Sequence, residues 1–171
     1  MAICGWLYLA LDLDDGTPAD ILAELSWHIG LAPDQPELVT LPIARPDYGL
    51  FDLSWGSLWA AGPQTAVLRR QKRYVRERGG NGDATWVHSL LVRVDFGDDL
   101  VDDIVHLVPW IAPHCVTEGW VGGMSTRLGD DPVAPPELHF YVHGRRAYLG
   151  RAGTPPQAWD GGAPDYPYSH G

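Results

Sequence analysis

The chain contains an internal repeat, and this repeat constrains its fold more than any other feature. Residues 7–29 align with residues 90–112 at a constant offset of 83 residues and without a gap. Several further pairs match apolar with apolar, and six pairs are identical. The identical pairs are Leu7/Leu90, Asp12/Asp95, Asp15/Asp98, Asp20/Asp103, Ile21/Ile104 and Trp27/Trp110. We therefore predict two related structural units in one chain.

Each copy of the repeat predicts a strand followed by a helix. Apolar residues alternate over 7–13 and again over 90–96, which is typical of a strand with one buried face. An Asp-rich turn follows each strand. Apolar residues then recur at helical spacing, over 18–31 in the first copy and after the Asp-rich turn in the second. We expect Pro109 to end or kink the second helix.

Further strands are predicted after each helix. The first copy continues with apolar segments at 38–44 and 50–62, and the second with segments at 114–124 and 138–150. The last segment of each copy has the pattern of a strand, a glycine turn and a second short strand. The predicted fold class is α+β: duplicated β-α-β-β(-β) modules form one mostly antiparallel sheet, with two helices on one face.

The domain boundaries follow from the repeat and from the segments around it. We assign residues 1–62 to the first repeat and residues 85–150 to the second. Residues 63–84 contain half of the lysines and arginines of the chain and end in a glycine-rich stretch, so we predict an inter-repeat linker there. Residues 151–171 are rich in proline and glycine and predict an irregular tail.

Composition restricts the classes of partner. The formal net charge of −10 argues against nucleic acid and anionic membranes, and it favours a basic protein as partner. No apolar run is long enough to span a bilayer. The apolar N-terminal stretch lacks the basic region and the cleavage site of a signal peptide. Cys4 and Cys115 do not make a disulfide framework, so we predict a cytoplasmic protein with free thiols.

The sheet face away from the helices is the predicted ligand site. Eight tryptophans and seven tyrosines exceed what a core of this size needs, so some of them should be exposed or line a cavity. Strand alternation places two histidines and a tyrosine of segment 138–150 on one face. Aromatic rings would contact an apolar ligand there, and the polar atoms of His and Tyr would orient it. The predicted ligand-binding residues are Trp6, Tyr8, Trp55, His139, Tyr141 and His143.

The alignment of the two final hairpins leaves two interpretations open. In this alignment, apolar residues of the first half correspond to histidines and a tyrosine in the second half. The aligned pairs are Phe51/His139, Leu53/Tyr141 and Trp55/His143. Either the alignment slips by one residue, or the two halves have diverged at a site.

No motif for nucleophilic catalysis occurs in the sequence. His139, His143 and His88 are candidates for acid–base chemistry, but no nucleophile is paired with them. His139 and His143 lie about 13 Å apart along a strand, which is too far for one metal ion. A metal site across strands, from His88, His114 and His139, is the alternative. We predict no metal and no cofactor.

Three functions are compatible with these observations. The favoured one is a small-molecule-binding protein, with or without modest catalytic activity, whose partner is a small organic ligand. The first alternative is an acidic protein–protein interaction module, such as an inhibitor, an immunity-type protein or an accessory subunit. Its partner would be a basic protein or a second copy of the chain. The second alternative is a cofactor-independent enzyme that uses His and Asp as acid and base.

Overall fold

The computed structural model describes residues 4–43, 49–51, 65–74, 84–97, 101–125 and 136–161. These residues form an α+β fold with one seven-stranded antiparallel sheet and two helices. The strands are β1 (Cys4–Asp14), β2 (Thr65–Tyr74), β3 (Ala84–Gly97), β4 (Gly119–Ser125), β5 (Leu138–His143), β6 (Arg146–Arg151) and β7 (Gln157–Ala158). The helices are α1 (Ala19–His28) and α2 (Val101–Ile111), and a 3-10 turn (Ala112–His114) follows α2. The strand order is β2-β3-β1-β4-β5-β6-β7.

β1 lies at the centre of the structure because both of its edges are paired. It runs antiparallel to β3 along its whole length and to β4 along part of it. Its apolar residues alternate with residues of intermediate exposure, and all four leucines from Leu7 to Leu13 are buried. The period-two pattern in the sequence therefore corresponds to a strand with one face in the core.

The core lies between this face of the sheet and the two helices. Leu25 of α1 joins Ile104, Val108 and Ile111 of α2 in one buried cluster with the leucines of β1. α2 continues past Pro109 and ends two residues later at Ile111. Within the described residues, neither helix has the length and the apolarity that a membrane span requires.

Two segments differ from the sequence prediction. Residues 65–74, inside the predicted linker 63–84, form the edge strand β2, which packs Ala66 and Leu68 against the core. Residues 38–43, predicted as a strand, belong to no strand. Most of the predicted strand region 50–62 lies outside the described residues.

The hairpin predicted at 138–150 is present as β5 and β6. Its turn consists of Gly144 and Arg145, whose φ angles are 55° and 62°. Two consecutive positive φ angles define a type I′ turn, which matches the twist of the adjoining strands. The guanidinium of Arg145 donates to the carboxylate of Asp14 at 2.7 Å, so the turn is attached to the end of β1. Beyond the hairpin, β7 adds part of the predicted tail 151–171 to the sheet.

Candidate functional site

The face of the sheet opposite the helices, here called the open face, carries the residues that alternate with the core. On β1 these residues include Trp6 and Tyr8, and on β3 they include Leu91 and Arg93. None of the four is fully buried. Among the described residues, the Nε1 atom of Trp6 is buried and has no hydrogen-bond partner. The open face thus combines large aromatic rings with exposed apolar and charged groups, unlike an ordinary solvated face.

Aromatic side chains line up across four neighbouring strands of the open face. Trp120 of β4 is opposite Tyr141 of β5, which is opposite Tyr148 of β6. The ring of Tyr8 on β1 stacks with Trp120, with centroids 6.0 Å apart and planes at 19°. We call Tyr8, Trp120, Tyr141 and Tyr148 the aromatic row. Trp120 is 48% exposed, so the centre of the row is accessible to solvent.

A β-bulge in β4 brings Trp120 to this face. The pairing of β4 with β5 shifts between Trp120 and Gly122, so Val121 is the extra residue. Val121 is fully buried, and Trp120 points to the opposite side of the strand. The bulge therefore supplies both a core residue and an exposed indole from adjacent positions.

Glycines on the open face let other groups approach the backbone closely. Gly123 lies between Tyr8 and His139 in the pairing of the strands. A Cβ atom at Gly123 would lie 2.7 Å from Cβ of Pro136, so this proline occupies the space above the strand. A glycine is thus required where Pro136 covers the sheet.

Polar groups flank the aromatic row where β4 begins and β5 ends. Nδ1 of His143 lies 3.3 Å from Oε2 of Glu118, and the His143 ring meets Tyr148 edge-on at 5.6 Å. The backbone N–H of Gly144 donates to the same carboxylate. Glu118 and His143 are both exposed, so they could bind the polar end of a ligand that lies on the row.

A second polar group lies on the open face near the C-terminal end of β1, on the side of β2 and β3. Ser89 donates a hydrogen bond to Asp12, and Gln71 donates to the Ser89 hydroxyl at 2.5 Å. Arg73 donates to the second oxygen of Asp12 at 2.9 Å. The carboxylate of Asp12 is therefore fully engaged by neighbouring strands. This network ties β1, β2 and β3 together.

The structure brings five of the six predicted ligand-binding residues to one face. Trp6 and Tyr8 lie on the open face of β1. His139, Tyr141 and His143 lie on the open face of β5, where alternate residues Leu138, Phe140 and Val142 are buried. Trp55 is outside the described residues. Phe51, aligned with His139, is buried in the core.

Sequence reasoning missed Trp120 and Tyr148 as members of the site. The two-residue turn of the β5–β6 hairpin places Tyr148 opposite Tyr141, and the glycine turn in the sequence could have indicated this. Trp120 was not recoverable in the same way, because its face depends on the bulge at Val121.

The histidine candidates for catalysis do not form one site. His88 lies on the helix-covered face of β3, opposite Leu13, with Nε2 3.9 Å from an oxygen of Asp15. His139 lies on the opposite, open face, so the structure does not bring together His88 and His139 of the alternative metal site. Within the described parts of the chain, no three His, Cys, Asp or Glu residues are placed to hold a metal ion. Cys115 is buried, and its burial raises the pKa of the thiol, which disfavours the reactive thiolate.

Comparisons with known proteins were made at three levels. No protein-family model, no curated protein and no solved structure matches this chain. Function is therefore inferred from the residues of the open face.

Proposed function

We propose that the chain binds a small organic molecule on the open face of its sheet. The observation that carries this proposal is the exposed indole of Trp120, stacked on Tyr8 in the middle of the sheet. Nearly half of the Trp120 side chain stays in contact with water, so the favourable free energy of burying that surface is not gained. A ligand that covers the ring would recover that free energy.

The surroundings of the aromatic row indicate the chemistry of the ligand. Offset stacking on an indole and on phenol rings favours a flat, aromatic molecule. Arg93, paired with Tyr8 across β1 and β3, and His143 supply hydrogen-bond donors near the row. We therefore expect a flat heteroaromatic compound that carries a hydrogen-bond acceptor.

Two tryptophan variants test the proposal, one on the open face of the sheet and one on the opposite face. Native mass spectrometry of the purified protein detects a retained ligand, and NMR titration with indole, quinoline and naphthol detects a weak one. Trp120→Ala should abolish saturable binding. Trp86→Ala is the matched control, because Trp86 is 43% exposed but lies on the opposite face of the sheet. Binding that is equal in the two variants, or absent from the wild-type protein, would contradict the proposal.

The length of the apolar surface favours a second candidate, a protein partner on the same face. Val67 of β2, Leu91 of β3 and Ala10 of β1 are in register, and both Val67 and Leu91 are exposed. With the aromatic row they make a band from β2 to β6. The band spans five strand spacings of about 4.8 Å, or about 24 Å, longer than most small ligands.

The partner proposed for this second candidate is a basic protein, because the chain carries a net charge of −10. Leu91→Ser distinguishes the two functions. It lies on the β3 side of the band, away from Trp120, so it should weaken binding of a protein partner and spare a ligand stacked on Trp120. Cytochrome c is a suitable basic probe in light-scattering titrations at low and high salt. If Leu91→Ser leaves the affinity for cytochrome c unchanged, the binding is charge attraction alone and this candidate is rejected.

We also propose that the two β-α units are duplicated copies. The pairing of β1 with β3 supports this, because it places Leu9 opposite Val92, and the repeat aligns the same two residues. A two-fold axis between the copies would pass through this pair. Leu9→Val and Val92→Leu should each cost about 1 kcal/mol, and the double variant should recover most of that loss. Additive losses in urea unfolding would argue against equivalent surroundings.

A further inference from the structure

The strand β2 is an edge of the sheet among the described residues. Of the described strands, β3 alone is its neighbour, and the two pair from Thr65 to Tyr74. In an antiparallel pair, the backbone N–H and C=O groups of every second residue point away from the partner. β2 therefore presents a row of backbone donors and acceptors along a strand of ten residues.

This edge concentrates positive charge in an otherwise acidic chain. Arg69, Arg70, Lys72 and Arg73 are four of the twelve lysines and arginines, and β2 has no acidic residue. Strand alternation places Arg69 and Arg73 on the open face and Arg70 and Lys72 on the other. All four are exposed. The edge is thus cationic on both of its sides.

Two of these cations already hold carboxylates of the same chain. Arg70 binds Asp15 with two parallel hydrogen bonds, at 2.6 and 2.9 Å, and Arg73 binds Asp12 at 2.9 Å. The Arg70 contact lowers the pKa of the Asp15 carboxyl, as expected for recognition of its charged form. Arg69 and Lys72, one on each side, have no carboxylate partner within the described residues.

An exposed tryptophan holds the cations in place on one side of the edge. Trp86 of β3 is opposite Lys72. The guanidinium carbon of Arg70 lies 4.5 Å from the centre of a Trp86 ring, and Nζ of Lys72 lies 5.3 Å from it. Cation–π contact restrains both side chains before any partner arrives, so less side-chain entropy is lost on binding.

We propose that an extended, acidic segment of a partner protein binds the free edge of β2 as an eighth strand. Backbone hydrogen bonds would supply affinity, and carboxylates of the segment would meet Arg69 and Lys72. The same charges oppose pairing with a second copy, because β2 against β2 would set arginine against arginine. This surface is separate from Trp120 and the ligand site proposed above.

The experiment uses a ten-residue peptide in which pairs of glutamates alternate with single threonines. Its binding to the isotope-labelled full chain is followed by NMR at low salt. We expect shifts that concentrate in Thr65–Tyr74. A peptide with lysine in place of every glutamate should not bind. A peptide with N-methyl groups on its four central residues keeps the charge but loses backbone donors, and it should bind at least about tenfold more weakly.

Two variants separate this edge from general charge attraction. Lys72→Glu combined with Arg69→Glu should weaken the glutamate peptide at least about tenfold. Arg146→Glu combined with Arg151→Glu is the matched control, since both are exposed arginines on β6, which lies four strands beyond β3 in the sheet, and it should change the affinity less than about threefold. Equal affinity for the N-methylated peptide, equal effects of the two variants, or no binding at millimolar peptide would overturn the proposal. Tighter binding of oligo-dT than of the glutamate peptide would also overturn it, in favour of nucleic acid.

Discussion

Helices α1 and α2 each follow one strand of the central pair β1 and β3, yet they are buried by opposite chemistry. α1 carries Glu24 and His28 where the aligned positions of α2 carry Leu107 and Ile111. All four side chains are almost completely buried. Burying a carboxylate and an imidazole costs free energy that burying leucine and isoleucine does not. The first unit must therefore gain something from these polar groups that the second does not need.

The difference follows from where the chain goes after each helix. After α2 the chain enters β4, whose backbone pairs with β1 and β5. After α1, the described residues stay outside the sheet. Their buried N–H groups still need acceptors. The carboxylate of Glu24 accepts from the backbone N–H of Thr40 and of Leu41, both at 2.7 Å. Nδ1 of His28 accepts from Leu50 N–H at 3.2 Å.

The largest effect is expected when α1 is given the residue of α2. Glu24→Leu keeps the volume similar but leaves the N–H groups of Thr40 and Leu41 without an acceptor. We expect the free energy of unfolding to fall by about 3–5 kcal/mol, as for a broken buried polar cluster. Urea denaturation measures it. Leu107→Met, the control in α2, should cost less than about 1.5 kcal/mol. A Glu24→Leu protein of wild-type stability would remove the proposed role of the carboxylate.

The two helices should also differ in their response to pH. Burial lowers the pKa of His28 from its ordinary value of 6.5, although Glu24 opposes the shift. Below pH 6.5 the unfolded chain therefore binds a proton more readily than the folded one. The contribution of neutral His28 to the free energy of unfolding is complete above pH 6.5. It is lost as the pH falls toward the pKa of His28 in the folded protein, by at most about 1.4 kcal/mol per pH unit.

Urea midpoints between pH 7.5 and 5.5 measure this contribution. His28→Gln keeps an acceptor for Leu50 and should flatten the curve. Leu107→Met in α2 is the control, because it changes no titratable group, and it should leave the slope unchanged. Parallel curves for wild type and His28→Gln would show that this imidazole does not set the pH dependence.

A smaller effect is expected at the residue that links the two units. The Thr40 hydroxyl donates to Oε2 of Glu24 at 2.8 Å and accepts from Nε1 of Trp110 on α2 at 2.9 Å. Thr40→Val removes both bonds and should cost about 1–2 kcal/mol. Hydrogen exchange at the Leu41 amide should accelerate with it. Unchanged exchange would place the stability loss elsewhere.

The smallest effect is expected from Trp110→Phe, which keeps an aromatic ring but removes the indole N–H and part of the ring that packs against the core. We expect a loss of about 1 kcal/mol. Because Thr40 and Trp110 share this bond, the double variant with Thr40→Val should lose less than the sum of the two single losses. Additive losses of unfolding free energy would mean that the hydrogen bond between Trp110 and Thr40 contributes nothing to stability.

The sequence was sufficient to predict the parts of the fold that follow a regular period. Alternation over 7–13 and 90–96 predicted β1 and β3, and the glycine turn predicted the β5–β6 hairpin. The placement of His139 and Tyr141 on the open face followed from the same alternation. In these segments local pattern and tertiary burial agree, so a one-dimensional pattern is enough.

The failures occur where the environment of a residue depends on distant parts of the chain. β2 reads as a polar linker because an edge strand needs little apolar surface, and only Ala66 and Leu68 reach the core. Residues 38–43 are apolar enough for a strand, but the backbone N–H groups of Thr40 and Leu41 donate to the carboxylate of Glu24. Trp120 faces outward only because of a bulge. None of these outcomes is encoded within a few neighbouring residues.

The central position of β1 has a consequence for the protein during its synthesis. β1 ends at Asp14, and neither of its partner strands begins before Ala84. Until the ribosome has made β3, neither edge of β1 has its described partner strand, and of the described core only α1 and the residues up to Phe51 are available to cover its leucine face. Long-range pairing of this kind folds slowly and favours aggregation. We therefore expect a chaperone that binds extended apolar peptides on nascent chains to bind this protein at Leu7–Leu13.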